Sequence, residues 1–163
     1  MDSPIRLATE ADADAINDVY NYYVHHSTCT FHLEPVTREE RVEWLNGHSE
    51  KHPVLVYEVD GKVVGWASLS VHRPRPAYGN TVETSVYIDH RFHGRGIGKA
   101  LLGELIRLAN MHGHHTMLGG MEASQIASIR LHESLGFEKV AHYREIGYKF
   151  GQWLDTVFYQ LML

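Results

Sequence analysis

One stretch limits what this chain can fold into more than any other: His93-Gly94-Arg95-Gly96-Ile97-Gly98-Lys99-Ala100, set between two differently patterned runs. From Thr81 to Ile88 the residues alternate, with Val82, Val86 and Ile88 on one side and Glu83, Ser85 and Tyr87 on the other, which is the period of a strand. After the glycines, Ile97, Leu101, Leu102, Leu105, Leu108 and Ala109 recur at helical spacing, predicting a helix from about Gly96 to His112 that Gly113 ends. A strand that enters a helix through glycines presents free backbone N–H groups and the positive end of the helix dipole, and glycine lets an oxygen anion approach closely. Arg91, Arg95 and Lys99 add positive charge there, in a chain whose net charge is -5. Two other phosphate loops fail on spacing. A Walker A loop needs Gly at His93 and Ser or Thr at Ala100, and a Rossmann fingerprint needs Gly at Lys99.

Around this unit the chain reads as one domain over residues 1–163, with no repeat, low-complexity tract or linker. Ile5-Arg6-Leu7 predicts a short strand, and Thr9 caps a helix from about Glu10, with Asp12 as an imperfect capping-box partner. Ile16, Val19, Tyr20, Tyr23 and Val24 form that helix's apolar stripe. Thr37-Arg38-Glu39-Glu40 is a full capping box for a second helix to about His48, with Val42, Trp44 and Leu45 as its apolar residues. Asp60-Gly61 joins strands 54–59 and 62–69 as a hairpin. A strand over Met117–Met121 follows the central helix. A helix over Ile126–Leu135, closed by Gly136, comes next, and strands near 137–142 and 153–161 end the pattern. The order predicts an α/β (α+β) fold, a mixed central sheet flanked by helices on both faces.

Composition narrows the function classes. The acidic balance argues against wholesale binding to nucleic acid or an anionic membrane. No apolar run is long enough to span a bilayer, and Met1-Asp2-Ser3-Pro4 lacks a basic segment followed by an apolar one. The single cysteine, Cys29, has no internal disulfide partner, which fits a cytoplasmic chain; it reads as a small buried residue or as a thiol near His25, His26 and His32. Neither His112-Gly113-His114-His115 nor His132-Glu133 has zinc-helix spacing, so no metal site is expected.

The glycine turn resembles the acetyl-CoA signature Gln/Arg-x-x-Gly-x-Gly/Ala of the GNAT superfamily of N-acetyltransferases, with His93 in place of the first Gln or Arg. Further segments resemble its phosphinothricin and methionine-sulfoximine acetyltransferase branch. They are Tyr20-Asn21, Glu34-Pro35-Val36-Thr37, Arg75-Pro76-Ala77-Tyr78, Thr81-Val82-Glu83, Val86-Tyr87-Ile88, Leu131-His132-Glu133-Ser134-Leu135-Gly136-Phe137, and Gly147-Tyr148-Lys149-Phe150-Gly151 with Trp153 and Asp155. The resemblance implies acetyl-CoA as cofactor and acetyl transfer to a small-molecule amine.

It also suggests roles. Glu83 matches the proposed base, and burial in its strand would suit it to deprotonate an amine whose pKa is roughly 8; a solvent-facing carboxylate is the plainer reading. His132 stands where the branch carries a His, as acid for the departing thiolate or as a packing residue. Backbone groups of Val86, Tyr87 and Ile88 would hold the pantetheine, residues His93 to Ala100 the phosphates, and Gln125 would stand in for an Asn on the pantetheine arm. Arg75 and Tyr78 match the acceptor site, with Arg73 competing for a substrate carboxylate and Phe31 either lining the pocket or filling core. The branch implies a homodimer, for which the aromatic C-terminal strand (Trp153, Phe158, Tyr159) offers either interface or core. The favoured acceptor is a small amino acid or analogue. A peptide N-terminus, a polyamine, or a regulatory module without turnover are the alternatives.

Overall fold

The computed structural model describes residues 3–163. Met1 and Asp2, part of the N-terminus read above as lacking a leader, lie outside the described residues. The elements run β1 (Ile5–Leu7), α1 (Ala13–His26), α2 (Arg38–Asn46), β2 (Val54–Val59), β3 (Lys62–Val71), β4 (Thr81–Ile88), α3 (Ile97–Met111), β5 (Thr116–Glu122), α4 (Ile126–Ser134), β6 (Glu138–Lys149) and β7 (Gln152–Met162). The strands form one sheet in the order β1-β2-β3-β4-β5-β7-β6. Every neighbouring pair is antiparallel except β4 and β5, which are parallel and joined across α3.

The alternation in β4 decides which face each side chain serves. Val82 packs with Ala67, Leu69 and Met117 against Leu101, Leu102 and Leu105 of α3, all almost fully buried. Each such leucine contributes on the order of 2 kcal/mol of transfer free energy. On the other face Ile16, Val19, Tyr20 and Val24 of α1 cover Val54, Val56 and Trp66. Tyr87, opposite Trp66 in the β3–β4 register, packs against that second cluster. Helices therefore lie on both faces, as the sequence pattern predicted.

The β4–β5 ladder is short. Its pairs run from Thr81↔Thr116 to Thr84↔Gly119 and stop, although β4 continues to Ile88 and β5 to Glu122. Beyond Thr84 and Gly119 the two strands part, each keeping its other neighbour. Gly119 stands at the fork, and a Cβ there would lie 2.7 Å from the His132 ring. The fork is thus filled on the α3 face by an imidazole that only a glycine admits.

Local expectations were met unevenly. At Asp60-Gly61 both residues have positive φ, 50° and 74°, the backbone of a two-residue hairpin turn. Glu10–Asp12 is a 3-10 turn before α1, because the Asp12 carboxylate accepts from the Thr9 N–H at 2.7 Å and tightens the entry. α2 ends at Asn46 rather than His48, and its one fully buried side chain is Arg41, while Val42, Trp44 and Leu45 are half-buried. β6 and β7 are longer than expected and form a hairpin through Phe150-Gly151, which takes positive φ of 53° and 71°. Phe carries no turn signal. Register shifts at Lys139/Ala141 and Tyr143/Gly147, with Glu145 at φ 51°, break the alternation that would have revealed β6.

Candidate active site

The parted ends of β4 and β5 open a cleft of about 400 Å³. Ser85 to Ile88 of β4, Gly120 to Glu122 of β5, the glycine turn, and Gln125, Ser128, Leu131 and His132 at α4 line it. At the turn, Gly94 and Gly96 have φ of 74° and 76°, a left-handed backbone that suits glycine. Among the described residues the N–H groups of Gly94 to Lys99 donate to no backbone carbonyl; the first bond of α3 is Ala100 N to Gly96 O at 3.0 Å. A row of free N–H groups at a helix start, facing a cleft, fits the phosphates of a coenzyme A thioester.

Two residues of the turn are placed differently from the sequence expectation. Ala100 spends its N–H inside the helix and is not in the cleft wall. Arg95 is also outside that wall, its guanidinium 4.7 Å from the Phe92 ring. His93 reaches the cleft, but its Nε2 lies 2.7 Å from the Tyr23 hydroxyl and 3.3 Å from Ile88 O. The Tyr23 hydroxyl donates to Ile88 O, so His93 Nε2 carries the hydrogen of this cluster. That ring is spent holding the end of β4 to α1 rather than offering a donor outward at Nε2. Gln125, the residue before α4, donates from Nε2 to Thr28 Oγ1 at 3.2 Å, tying α4 to the 27–37 loop and leaving Oε1 for the cleft.

Glu83 lies outside this cleft. It lines a separate cavity of about 530 Å³ with Phe31, His72, Arg73, Tyr143 and Phe158. The burial expected of Glu83 is not found, because its side chain is 36% exposed, and His72 Nδ1 donates to its Oε1 at 2.6 Å. Phe31 enters so closely that a Cβ at Gly147 would lie 2.5 Å from its ring, which explains a glycine in β6. Arg73 is in this wall and Arg75 is not; Arg75 is exposed where it precedes the 3-10 turn Pro76–Tyr78. Tyr78 contacts the His72 ring edge-on at 5.3 Å and lies under the Arg73 guanidinium.

His132 sits at the fork on the α3 face, 4% exposed. Its Nδ1–H donates to Ser128 O at 2.8 Å, so in the neutral ring Nε2 is an acceptor, 3.3 Å from Thr84 Oγ1. Burial holds its pKa below the ordinary histidine value. In the neutral ring the Nε2 lone pair is turned toward Thr84, and the ring packs edge-on against Phe137.

Some residues of the site were not read as such from the sequence. Tyr23, which read only as part of a core stripe, lines the cleft; so does Cys29, weighed above as a thiol or a small buried residue, and burial raises its thiol pKa. Lys149, 3% exposed, donates from Nζ to Ser27 O and Thr30 O at 2.8 Å each and pins the loop that roofs both cavities. His72 meets Glu83 only through the β3–β4 register, which no sequence period reveals. Among the described residues no group of three or more His, Cys, Asp or Glu could hold a metal ion, and His114 Nε2 donates to Lys51 O at 2.6 Å.

A forked parallel pair with free turn N–H groups in front of it defines an acyl-CoA-binding transferase. The family model for the acetyltransferase (GNAT) domain matches residues 5–158, and the chain belongs to that family. It is an acetyl-CoA-dependent N-acetyltransferase. An L-methionine sulfoximine/L-methionine sulfone acetyltransferase of Salmonella typhimurium is 41% identical over 98% of this chain and 94% of its own. A phosphinothricin N-acetyltransferase of Streptomyces coelicolor is 38% identical over 96% of this chain and 94% of its own. The structure of a GNAT phosphinothricin acetyltransferase from Sinorhizobium meliloti in complex with acetyl-CoA superposes with a TM-score of 0.92. That chain is 35% identical, and the match covers 100% of this chain and 89% of that one.

Proposed function

We propose that this single-domain chain moves the acetyl group of acetyl-CoA to the α-amino group of a small amino acid or analogue of the methionine sulfoximine or phosphinothricin kind. The observation that carries this reading is the position of Glu83. It is the last residue but one before β4 and β5 part, and it lies outside the coenzyme cleft, in the wall of a separate cavity. The acceptor amine enters beside Glu83, and the donor's thioester reaches it through the fork.

In this reading the free N–H groups of residues 94–99, with Lys99, hold the phosphates, and the parted edge of Val86 to Ile88 holds the pantetheine. Acetyl-CoA supplies a thioester carbonyl. Glu83 takes a proton from the ammonium, directly or through water, and His72 keeps its carboxylate aimed. The amine nitrogen bonds to the carbonyl carbon and the C–S bond breaks; the nitrogen's surplus proton passes to water, and the sulfur leaves as thiolate. A thiol pKa of roughly 8.5 lets that happen without an enforced acid, so His132 acts by shaping the fork. Arg73 is better placed than Arg75 for a substrate carboxylate and Phe31 lines the acceptor wall, while Tyr78 backs that wall through its contacts with His72 and Arg73.

A cytoplasmic homodimer belongs to the same reading. The free thiol of Cys29 suits a reducing compartment, and among the described residues no helix is long and apolar enough to cross a membrane. Tyr143, Ile146, Tyr148, Phe150 and Trp153 are exposed along the β6–β7 hairpin beside the Glu83 cavity, an apolar face suited to a second copy. Of the three aromatics first considered for this contact only Trp153 is exposed; Tyr159 is buried in the core and Phe158 lines the acceptor cavity. The test is release of CoA thiol with a panel of amines. Methionine sulfone, methionine sulfoximine and phosphinothricin should be turned over well above polyamines and peptides, and the reverse order would overturn the acceptor assignment.

A further inference from the structure

A buried cation normally has a carboxylate beside it, since the effective cost of desolvating an ion is several kcal/mol. Arg41 of α2 is 4% exposed and has no ion-pair partner among the described residues; only Tyr20 and Tyr87 act to raise its pKa against the burial. Its Nε donates to Asn17 Oδ1 at 2.8 Å, and Asn17 is itself fixed by donating from Nδ2 to Val36 O and Thr37 O. The guanidinium is thereby oriented, yet Nη1 and Nη2 donate to no acceptor among the described residues. Three rings lie near it, at 4.6 Å (Trp44), 5.0 Å (Tyr20) and 5.4 Å (Trp66). Such contacts offset only part of the burial. The Trp66 indole N–H is a second buried donor with no acceptor.

Arg41 lines a cavity of about 550 Å³ beneath the 27–37 loop. Ser85 and Tyr87 of β4 form part of its wall and also part of the wall of the coenzyme cleft. Ser85 and Glu83 point to the same face two residues apart, a separation of about 7 Å along a strand. Glu34 and Glu40 stand in the same wall, but the Glu40 carboxylate is committed to the Thr37 N–H at 2.8 Å, and neither pairs with Arg41.

We propose that this cavity is a second acceptor subsite, in which the Nη groups of Arg41 bind an oxygen anion or oxo group of the substrate. The inference rests on the reading that the acceptor is a small amino acid. The planar fork of the guanidinium matches two oxygens on one centre, and the aromatic rings suit the aliphatic part of the same molecule. Two groups of such a substrate carry that chemistry, the α-carboxylate and a side-chain sulfone, sulfoximine or phosphinate.

The experiment compares wild type, Arg41→Met and Arg41→Lys on three acceptors: methionine sulfone, its decarboxylated analogue 3-(methylsulfonyl)propylamine, and norleucine, which lacks the side-chain oxygens. In Arg41→Met, kcat/KM for methionine sulfone should fall about 30-fold or more, carried by KM, as expected for loss of a charged hydrogen bond. Arg41→Lys should recover part of it. If the decarboxylated amine is spared, the carboxylate is the bound group; if norleucine is spared, it is the side-chain oxo group. An equal loss on all three, or no loss, overturns the subsite. Should Arg41→Met fail to fold, Arg41→Lys decides by the same ratios. A binding titration of methionine sulfone on Trp44 and Trp66 fluorescence, without acetyl-CoA, reads the subsite independently of turnover. A wild-type response that vanishes in the variant, in an enzyme that acetylates none of the three, would sink the acceptor reading and leave the subsite standing.

Discussion

His72 Nδ1 donates to Glu83 Oε1 at 2.6 Å, and the contact exists because β3 and β4 pair Val71 with Val82 just before it. Glu83 is 36% exposed, so as an ion pair the contact is worth about 1 kcal/mol or less. Its value is direction. We expect His72→Ala to lower kcat about 10-fold with the acetyl-CoA KM unchanged, and His72→Asn, which keeps a donor, to recover most of it. Steady-state kinetics on both substrates checks this, and an equal rise in the acetyl-CoA KM would count against it.

The fork depends on a glycine and an imidazole fitting together. A Cβ at Gly119 would lie 2.7 Å from His132 and 3.3 Å from Thr84 Oγ1, so Gly119→Ala should cost about 1–3 kcal/mol. His132→Ala should cost a similar amount by leaving a cavity. The double variant should be more stable than the sum of the two losses, by about 1 kcal/mol or more, in a denaturant double-mutant cycle. Strict additivity would show that the two do not share the space.

Three histidines, His48, His52 and His132, have pKa values lowered chiefly by burial. In the unfolded chain each titrates near about 6.5. As pH falls through that value the unfolded state takes up protons before the folded state does, so stability present above it is lost. The urea midpoint should decline from pH 7.5 to 5.5, and His132→Gln should flatten the decline. A midpoint rising over that range would contradict the burial account.

At the coenzyme turn, Gly96 has a φ of 76° and Gly103, inside α3, has open space around a notional Cβ. Gly96→Ala should strain the turn by about 1–2 kcal/mol and weaken acetyl-CoA binding about 10-fold. Gly103→Ala should raise stability by about 0.5–1 kcal/mol and leave binding alone. Calorimetric titration and thermal unfolding of the two variants separate the turn's geometry from a general effect of adding a methyl.

How much of this was legible in sequence follows from how local each feature is. The strand, turn and helix from Thr81 to Met111 declare themselves because two periods meet at three glycines. The capping box at Thr37 and Glu40 was legible for the same reason, and both its bonds are present. The β6–β7 hairpin was hidden because Phe150 occupies a left-handed position that Phe rarely takes and a bulge breaks the β6 alternation. Arg41 was hidden by its type: an arginine next to Glu39 and Glu40 reads as surface, whereas it is the most buried side chain of α2. The choice of Arg73 over Arg75, and the pairing of His72 with Glu83, depend on where β3 hands over to β4.

The measurement closest to the central claim is Glu83→Gln, assayed for both turnover and acetyl-CoA affinity. The carboxylate lies outside the coenzyme cleft, so affinity should stay within about twofold while kcat falls by a factor of about 100 or more, the usual worth of a general base. A variant that binds acetyl-CoA normally and turns over methionine sulfone at the wild-type rate would contradict the assignment of Glu83 as the base.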